Sequence, residues 1–340
     1  MKRLIFLMIL SVFLGTQILA IQIGFKLSLY RILFLVIAYG FLLMVINNDQ
    51  RLRFYPRKVS SSYTMFYGFW LVYSLFSIIW AENLAGWAKA NVFIGVGVLS
   101  IFFIQLFVKE KKDLLTLFRS IGLGISIHLV LGFSELLTGK YLWASEHFIN
   151  KYRPESQNFL TRIPISIYPN QNDYATALLM GFFFLFILFR NGKNVFVKIG
   201  HAGLMISTLF LIYQTESRGN LAAVGIGLTT MALVYFSEVI TKKMVITATG
   251  GAISLGTVAI IFSSTIRGKI LEIVSLFLSS TEYVDYSNQN RVNLIKNGFS
   301  FLRESYGFGI GAGNVEYWMK TYPRFITGES ATCTTGGWKY

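Results

Sequence analysis

Long apolar runs separated by short basic loops fill the first 262 residues, and they constrain the fold before any other feature does. A helix that crosses a bilayer needs about 17–25 predominantly apolar residues. Runs of that kind lie near 4–21, 27–46, 63–81, 90–108, 114–137, 174–189, 196–213, 220–239 and 244–262. Nine runs predict an all-α, polytopic integral membrane protein with a transmembrane bundle over 1–262. The beginning of a large external loop is expected over 263–332, followed by a tail of different character over 333–340. The first run follows Lys2 and Arg3 as a signal peptide would, but its 18 residues and the many later runs favour a retained anchor.

Charge then sets the orientation. The chain has 31 Lys and Arg against 16 Asp and Glu, a net charge of +15. In a soluble protein that excess would suggest nucleic acid as a partner. Here the basic residues gather in alternate loops: Lys2 and Arg3; Arg51, Arg53, Arg57 and Lys58; Lys109, Lys111 and Lys112; Arg190, Lys193 and Lys198; Lys242 and Lys243. That is the positive-inside pattern, so no nucleic-acid partner is inferred and the N-terminus is assigned to the cytoplasm. The 138–173 loop and everything after Phe262 then lie outside. One cysteine, Cys333, excludes an internal disulfide framework and a cysteine-based zinc site.

Ionisable residues inside the runs are weighed by depth. Arg31 and Arg119 lie near span ends and are read as snorkelling. His128, near the middle of the fifth run, reads as a hydrogen-bonded packing residue before a proton relay, since no second histidine continues a chain. Glu135, nearer the outer end, can pair with a basic group at the external mouth.

Three external stretches carry more chemistry. TESRGN (215–220) joins two runs, with Ser217 as N-cap, Arg218 at the helix start, and Gly219 permitting close backbone approach. An arginine fork beside the exposed N–H groups of a helix start suits a phosphate or diphosphate. A tight turn whose arginine pairs with Glu216 or with lipid headgroups explains the same residues. YPNQNDYA (168–175) enters the sixth run, where Asn172 or Asp173 can cap the helix and Pro169 fixes its approach. After the ninth run, Arg291 opens a helix-like segment with Val292, Leu294, Ile295, Phe299 and Leu302 along one side. The segment runs into GFGIGAGN (307–314), with Gly309, Gly311 and Gly313. No strand precedes these glycines and no GK[ST] follows, so they read as a tight packing turn and not as a phosphate loop. No D-x-D occurs and the three histidines are scattered, which argues against a metal or other cofactor.

The order PNQNDYA (169–175), SRG (217–219) and R-x7-F-x9-GxGxGN (291–314) resembles the O-antigen ligase and O-antigen polymerase superfamily over roughly residues 60–320. The resemblance implies a polyprenyl-diphosphate-linked oligosaccharide as donor, transferred outside the membrane to an acceptor hydroxyl without metal. It implies Arg218 and Arg291 as diphosphate ligands, with membrane lipid and other polysaccharide-assembly proteins as surroundings. The Gram-positive surface-polymer branch, teichuronic acid biosynthesis included, is compatible with the aromatic-rich spans. A flippase or transporter, or a non-catalytic assembly subunit, is the alternative. A flippase would place its polar groups at mid-membrane, whereas this chain concentrates them at the external face.

The family places its catalytic histidine beyond the glycine turn, in a motif like His-Asn-x-x-Leu-Glu, and this chain has no histidine there. CTTGGWKY (333–340), back-translated and read from each codon's third base, can encode His-Asn-Trp-Trp-Leu-Glu-Ile. A one-base frame change shortly before Cys333 is therefore expected, leaving a chain that is impaired in transfer. Sequencing the gene tests this: the shifted frame should carry that heptapeptide, and an immediate stop codon there would end the idea.

Overall fold

A computed structural model describes residues 1–18, 20–23, 25–49, 58–145, 149–235 and 286–322. The ninth run, the 263–285 segment and the 333–340 tail lie outside the described residues. Among the described residues six helices are long and apolar enough to cross a membrane: Leu29–Ile46, Ser62–Ile79, Leu84–Phe107, Lys111–Thr138, Gln171–Asn191 and Val195–Gln214. The chain is a multi-pass membrane protein. A further apolar helix, Arg218–Val234, is shorter.

In chain order the helices are α1 (Lys2–Val12), α2 (Gly15–Ile18), α3 (Leu29–Ile46), α4 (Lys58–Phe76), α5 (Leu84–Phe107), α6 (Lys111–Thr138), α7 (Gln171–Asn191), α8 (Val195–Gln214), α9 (Arg218–Tyr235), α10 (Tyr286–Glu304) and α11 (Val315–Thr321). A small antiparallel ribbon, β1 (Ala20–Ile23) with β2 (Phe25–Ser28), lies between α2 and α3, pairing Ala20 with Ser28 and Ile23 with Phe25.

The first apolar run is therefore not the single spanning helix its length predicts. α1 has 11 residues, about 17 Å at 1.5 Å per residue, against a hydrocarbon core of about 30 Å. Gly15 at φ +59 breaks the helix, and the chain reverses through the ribbon. The broken segment is nevertheless anchored at both ends. Lys2 Nζ donates to the buried Asp113 carboxylate at the start of α6, at 2.6 Å. Phe13 packs against His128, and Gly15 lies against Ile167 of the long loop.

The described residues form two compact units. The first combines residues 1–65 with 96–228, and its core runs along α6 and α7. Glycine notches admit bulky partners across that interface: Gly181 receives Ile125, and Gly132 receives the Tyr174 ring. Small residues at helix contacts allow this close approach, which within a membrane supplies packing that hydrophobicity cannot. The Tyr174 hydroxyl, buried in the notch, donates to the His128 carbonyl at 2.7 Å.

The second unit combines residues 66–95 with 229–339, described here over 66–95, 229–235 and 286–322. Ser74 Oγ donates to Asn91 Oδ1 at 2.6 Å, and Trp87 Nε1 donates to the Ser74 carbonyl at 3.1 Å, tying α4 to α5. The glycine turn docks on this hairpin. Tyr73 OH donates to the Phe308 carbonyl, Ala312 N–H to Ser77 Oγ, and Asn83 N–H to Asn314 Oδ1. Gly307, Gly309, Gly311 and Gly313 all take φ between +71 and +87. Along α10, burial does not follow the apolar side read from the sequence. Val292, Asn297 and Phe301 are buried, whereas Leu294, Ile295, Phe299 and Leu302 are exposed. Hydropathy alone therefore does not pick the packed face of α10.

Gly313 is where close approach and left-handed backbone coincide: a Cβ there would collide with the Gly86 carbonyl. Gly313→Ala should cost at least about 3 kcal/mol. Gly307→Ala, also left-handed but facing open space, should cost about 1 kcal/mol. Thermal unfolding of the detergent-solubilised protein measures both, and equal losses would contradict the docking of Gly313 on α5.

Candidate functional site

The loop between α6 and α7 folds back against α6 in the first unit. Its start is fixed where α6 ends at Gly139, φ +69. Arg162 donates to the Leu136 and Leu137 carbonyls at 2.6 and 2.9 Å and to the Ser156 carbonyl at 2.8 Å. A cation over the last carbonyls of a helix satisfies acceptors that have no intrahelical partner. Tyr141 and Tyr152 stack at 5.8 Å beneath this turn, and burial raises both phenol pKa values.

The deepest point of the loop is Ser166, fully buried and left-handed at φ +54. A non-glycine residue there costs on the order of 1–3 kcal/mol unless its surroundings compensate. They do so from two sides. Glu135 Oε2 accepts the N–H groups of Ile165 and Ser166, both at 2.8 Å. His128 Nδ1 and Ser166 Oγ share a hydrogen bond at 2.9 Å, and the Tyr168 ring packs against the imidazole. Glu135 thus holds loop backbone and not the basic group expected from the sequence, while His128 is a hydrogen-bonded packing residue. Burial, and secondarily Asp173, pushes the Tyr168 phenol up to about 12.

Beyond the loop, two helix starts meet. α7 is capped by Asn170, whose Oδ1 accepts the N–H groups of Asn172 and Asp173 at 2.9 and 3.0 Å. The cap is therefore neither Asn172 nor Asp173, as the sequence suggested: the helix begins at Gln171, which moves both into its first turn. Asp173 instead accepts from the Asn170 side chain, and Asn172 is free to reach the next turn. Ser217 Oγ donates to Asn172 Oδ1 at 2.9 Å, and Asn220 Nδ2 donates to both Ser217 Oγ and the Asn172 carbonyl. Thr176 closes the network on Asn220 Oδ1 at 3.2 Å. Ser217 occupies the N-cap position of α9, its carbonyl taking the Leu221 N–H, but its hydroxyl is engaged across the helices.

Arg218 and Gly219 are exposed at this junction. Glu216 pairs with Arg153 of the long loop, at 2.9 Å, and not with Arg218. Among the described residues no carboxylate bonds Arg218. The structure thus brings together Asn172, Asp173, Ser217, Arg218 and Gly219. Arg291 lies on α10, in the other unit, with its side chain outside the described residues. Gly309, Gly311 and Gly313 are also in that unit, and the turn's N–H groups at Gly309 and Ala312 are taken by Ser305 and Ser77. Sequence reasoning missed Asn170, Asn220, Thr176 and Arg153. Asn220 was within reach, since it lies three residues after Ser217 and so shares its helix face. Arg153, 63 residues from Glu216, gave no local signal.

With this geometry in place, comparison with known proteins adds kinship. The chain is 30% identical over 334 residues to the teichuronic acid biosynthesis protein TuaE of Bacillus subtilis (strain 168). It is a membrane protein related to a teichuronic acid biosynthesis protein. The match takes in 96% of this chain and 66% of that protein, so the chain spans just under two thirds of its relative's length. No protein-family model and no solved structure matches it.

The Glu135 clamp is directly testable. Glu135→Ala strands two buried N–H groups, each worth about 1–3 kcal/mol, and should release the loop. Glu135→Gln keeps a carbonyl acceptor and should lose less. Limited proteolysis between residues 139 and 168, with thermal unfolding alongside, distinguishes them; equal behaviour of Ala, Gln and the unaltered protein would remove the clamp from the account.

Proposed function

We propose that the chain belongs to the machinery of cell-surface polysaccharide biosynthesis, in a teichuronic-acid-type pathway, and binds the diphosphate of a polyprenyl-linked glycan at the outer membrane face. The observation that carries the reading is Arg218. It projects from a helix start whose backbone is held to a second helix start by Asn172, Ser217 and Asn220, with no described carboxylate bound to it. The N-terminus of a helix presents unpaired N–H groups and a positive dipole end, and a guanidinium adds a fork matched to phosphate oxygens. The kinship with TuaE supports the pathway, and the resemblance to the O-antigen ligase and polymerase superfamily supports the reaction. In that reaction an acceptor hydroxyl attacks the anomeric carbon and gives its proton to a general base, the role the resemblance assigns to a histidine beyond the glycine turn, while the lipid diphosphate leaves with the electron pair of the broken bond. The arginines stabilise the charge that grows on the leaving group. Arg291 enters as the second arginine by the resemblance alone. Lipid and other assembly proteins are the expected neighbours.

Binding of farnesyl diphosphate to the full chain in lipid nanodiscs tests the assignment without requiring transfer. Arg218→Ala should weaken binding by about tenfold or more, and Arg218→Lys by less. If neither Arg218→Ala nor Arg291→Ala changes the affinity, the diphosphate site is not here.

A further inference from the structure

Glu216 poses a problem for any anion that approaches Arg218. It stands two residues away on the same turn, is half exposed, and takes left-handed backbone at φ +54. A bare carboxylate this close lies well inside a Debye length, about 8 Å at physiological ionic strength, and would oppose a diphosphate. The structure answers with Arg153. Its guanidinium meets both carboxylate oxygens, NH1 to Oε1 at 2.9 Å and NH2 to Oε2 at 3.4 Å, while NH1 also donates to the Thr161 carbonyl. Arg153 is itself left-handed at φ +55. The segment that carries it is fixed from within, by Ser156 to Thr161 and by Arg162 to the end of α6. A second strut, Gln214 Nε2 to the Leu160 carbonyl at 3.3 Å, binds the same segment to the end of α8. The arginine is thus delivered to Glu216 by a braced loop, and no other described basic side chain bonds that carboxylate.

We infer that Arg153 is a positioning residue that neutralises Glu216 and turns it away from Arg218, so that the turn presents net positive charge to an anionic ligand. The inference rests on the diphosphate reading of Arg218 and adds to it a residue that does not touch the ligand. A charge role and a mechanical role make opposite demands on Glu216. If the pair is only a brace, breaking it from either side has the same effect. If the pair masks charge, removing Arg153 exposes a carboxylate, whereas removing the carboxylate leaves nothing to mask.

The experiment is farnesyl diphosphate binding to the full chain in neutral-lipid nanodiscs, at low and at high salt. Arg153→Ala should weaken binding on the order of threefold at low salt, with the loss shrinking as salt rises. Glu216→Gln should bind as well as the unaltered chain or better, and Arg153→Ala with Glu216→Gln should restore most of the affinity. Equal weakening by the two single substitutions, or a salt-independent loss in Arg153→Ala, would overturn charge masking in favour of a brace. No change in any variant would remove Arg153 from the site. If instead the unaltered chain does not bind, or Arg218→Ala binds normally, the diphosphate reading itself has failed, and that result is distinct from the others. Circular dichroism and thermal unfolding of each variant confirm that folded proteins are being compared.

Discussion

Two N–H groups accepted by one buried carboxylate fix the loop between α6 and α7 to the first unit. Irregular backbone at membrane depth is tolerated only where its polar groups find partners inside the protein. The loop between α6 and α7 enters the bundle at Ile165 and Ser166, and Glu135 supplies the acceptor their N–H groups need. With Ser166 fixed, the His128 contact and the buried Ile163, Ile165 and Ile167 follow. The segment that returns to the surface then carries Asn170 to the start of α7, and the segment leading in carries Arg153 to Glu216. The clamp therefore governs how both flanks of the Arg218 turn are placed, although neither Glu135 nor Ser166 touches that turn.

The turn itself is held more firmly than a connection between two helices requires. Gln214 and Glu216 are tied to the loop, and Ser217 and Asn220 to α7. Glu216 spends conformational energy in a left-handed backbone within that frame. Arg218 is left exposed to solvent by that frame, beside Gly219. A ligand that binds a fixed backbone and orders one side chain loses less entropy than one that must first organise the turn. For the proposed diphosphate, the helix-start N–H groups are fixed in advance and only the Arg218 side chain remains to be ordered.

Legibility in the sequence divided along physical lines. Spanning helices were readable because a bilayer imposes a length and a composition on them. The failure at residues 4–21 shows the limit of that reasoning: hydropathy counted the run, but Gly15 and the short ribbon break it. The meeting of PNQND with SRGN was readable as two helix starts at one surface, but not as a bond between Asn172 and Ser217. Asn170, Asn172 and Asp173 all suit an N-cap, and only the actual start at Gln171 chooses Asn170. The re-entrant loop was not readable, because its partners are backbone groups that any sequence would supply. Glu135 advertised a partner but could not say that the partner lacked a charge. Arg153 and Glu216 were hidden for the opposite reason, being ordinary charged residues made significant by a contact 63 positions apart.

The glycine turn shows why a pattern must be followed to its hydrogen bonds before it is given chemistry. Four glycines at alternate positions with positive φ could in principle point successive N–H groups at an anion. In this chain Gly307 N–H goes to the Leu302 carbonyl, Gly309 N–H to Ser305 Oγ, and Ala312 N–H to Ser77 Oγ. Those donors are occupied, and the absence of side chains at Gly311 and Gly313 is used for contact with Ala81 and Gly86. The turn is thus a docking device that seats α10 and α11 on the α4–α5 hairpin. At Arg218 the accounting runs the other way: the surrounding side chains are satisfied by one another, and the guanidinium is the group left facing out. Motif density would have ranked the glycines first, whereas the distribution of satisfied and exposed polar groups ranks the arginine first.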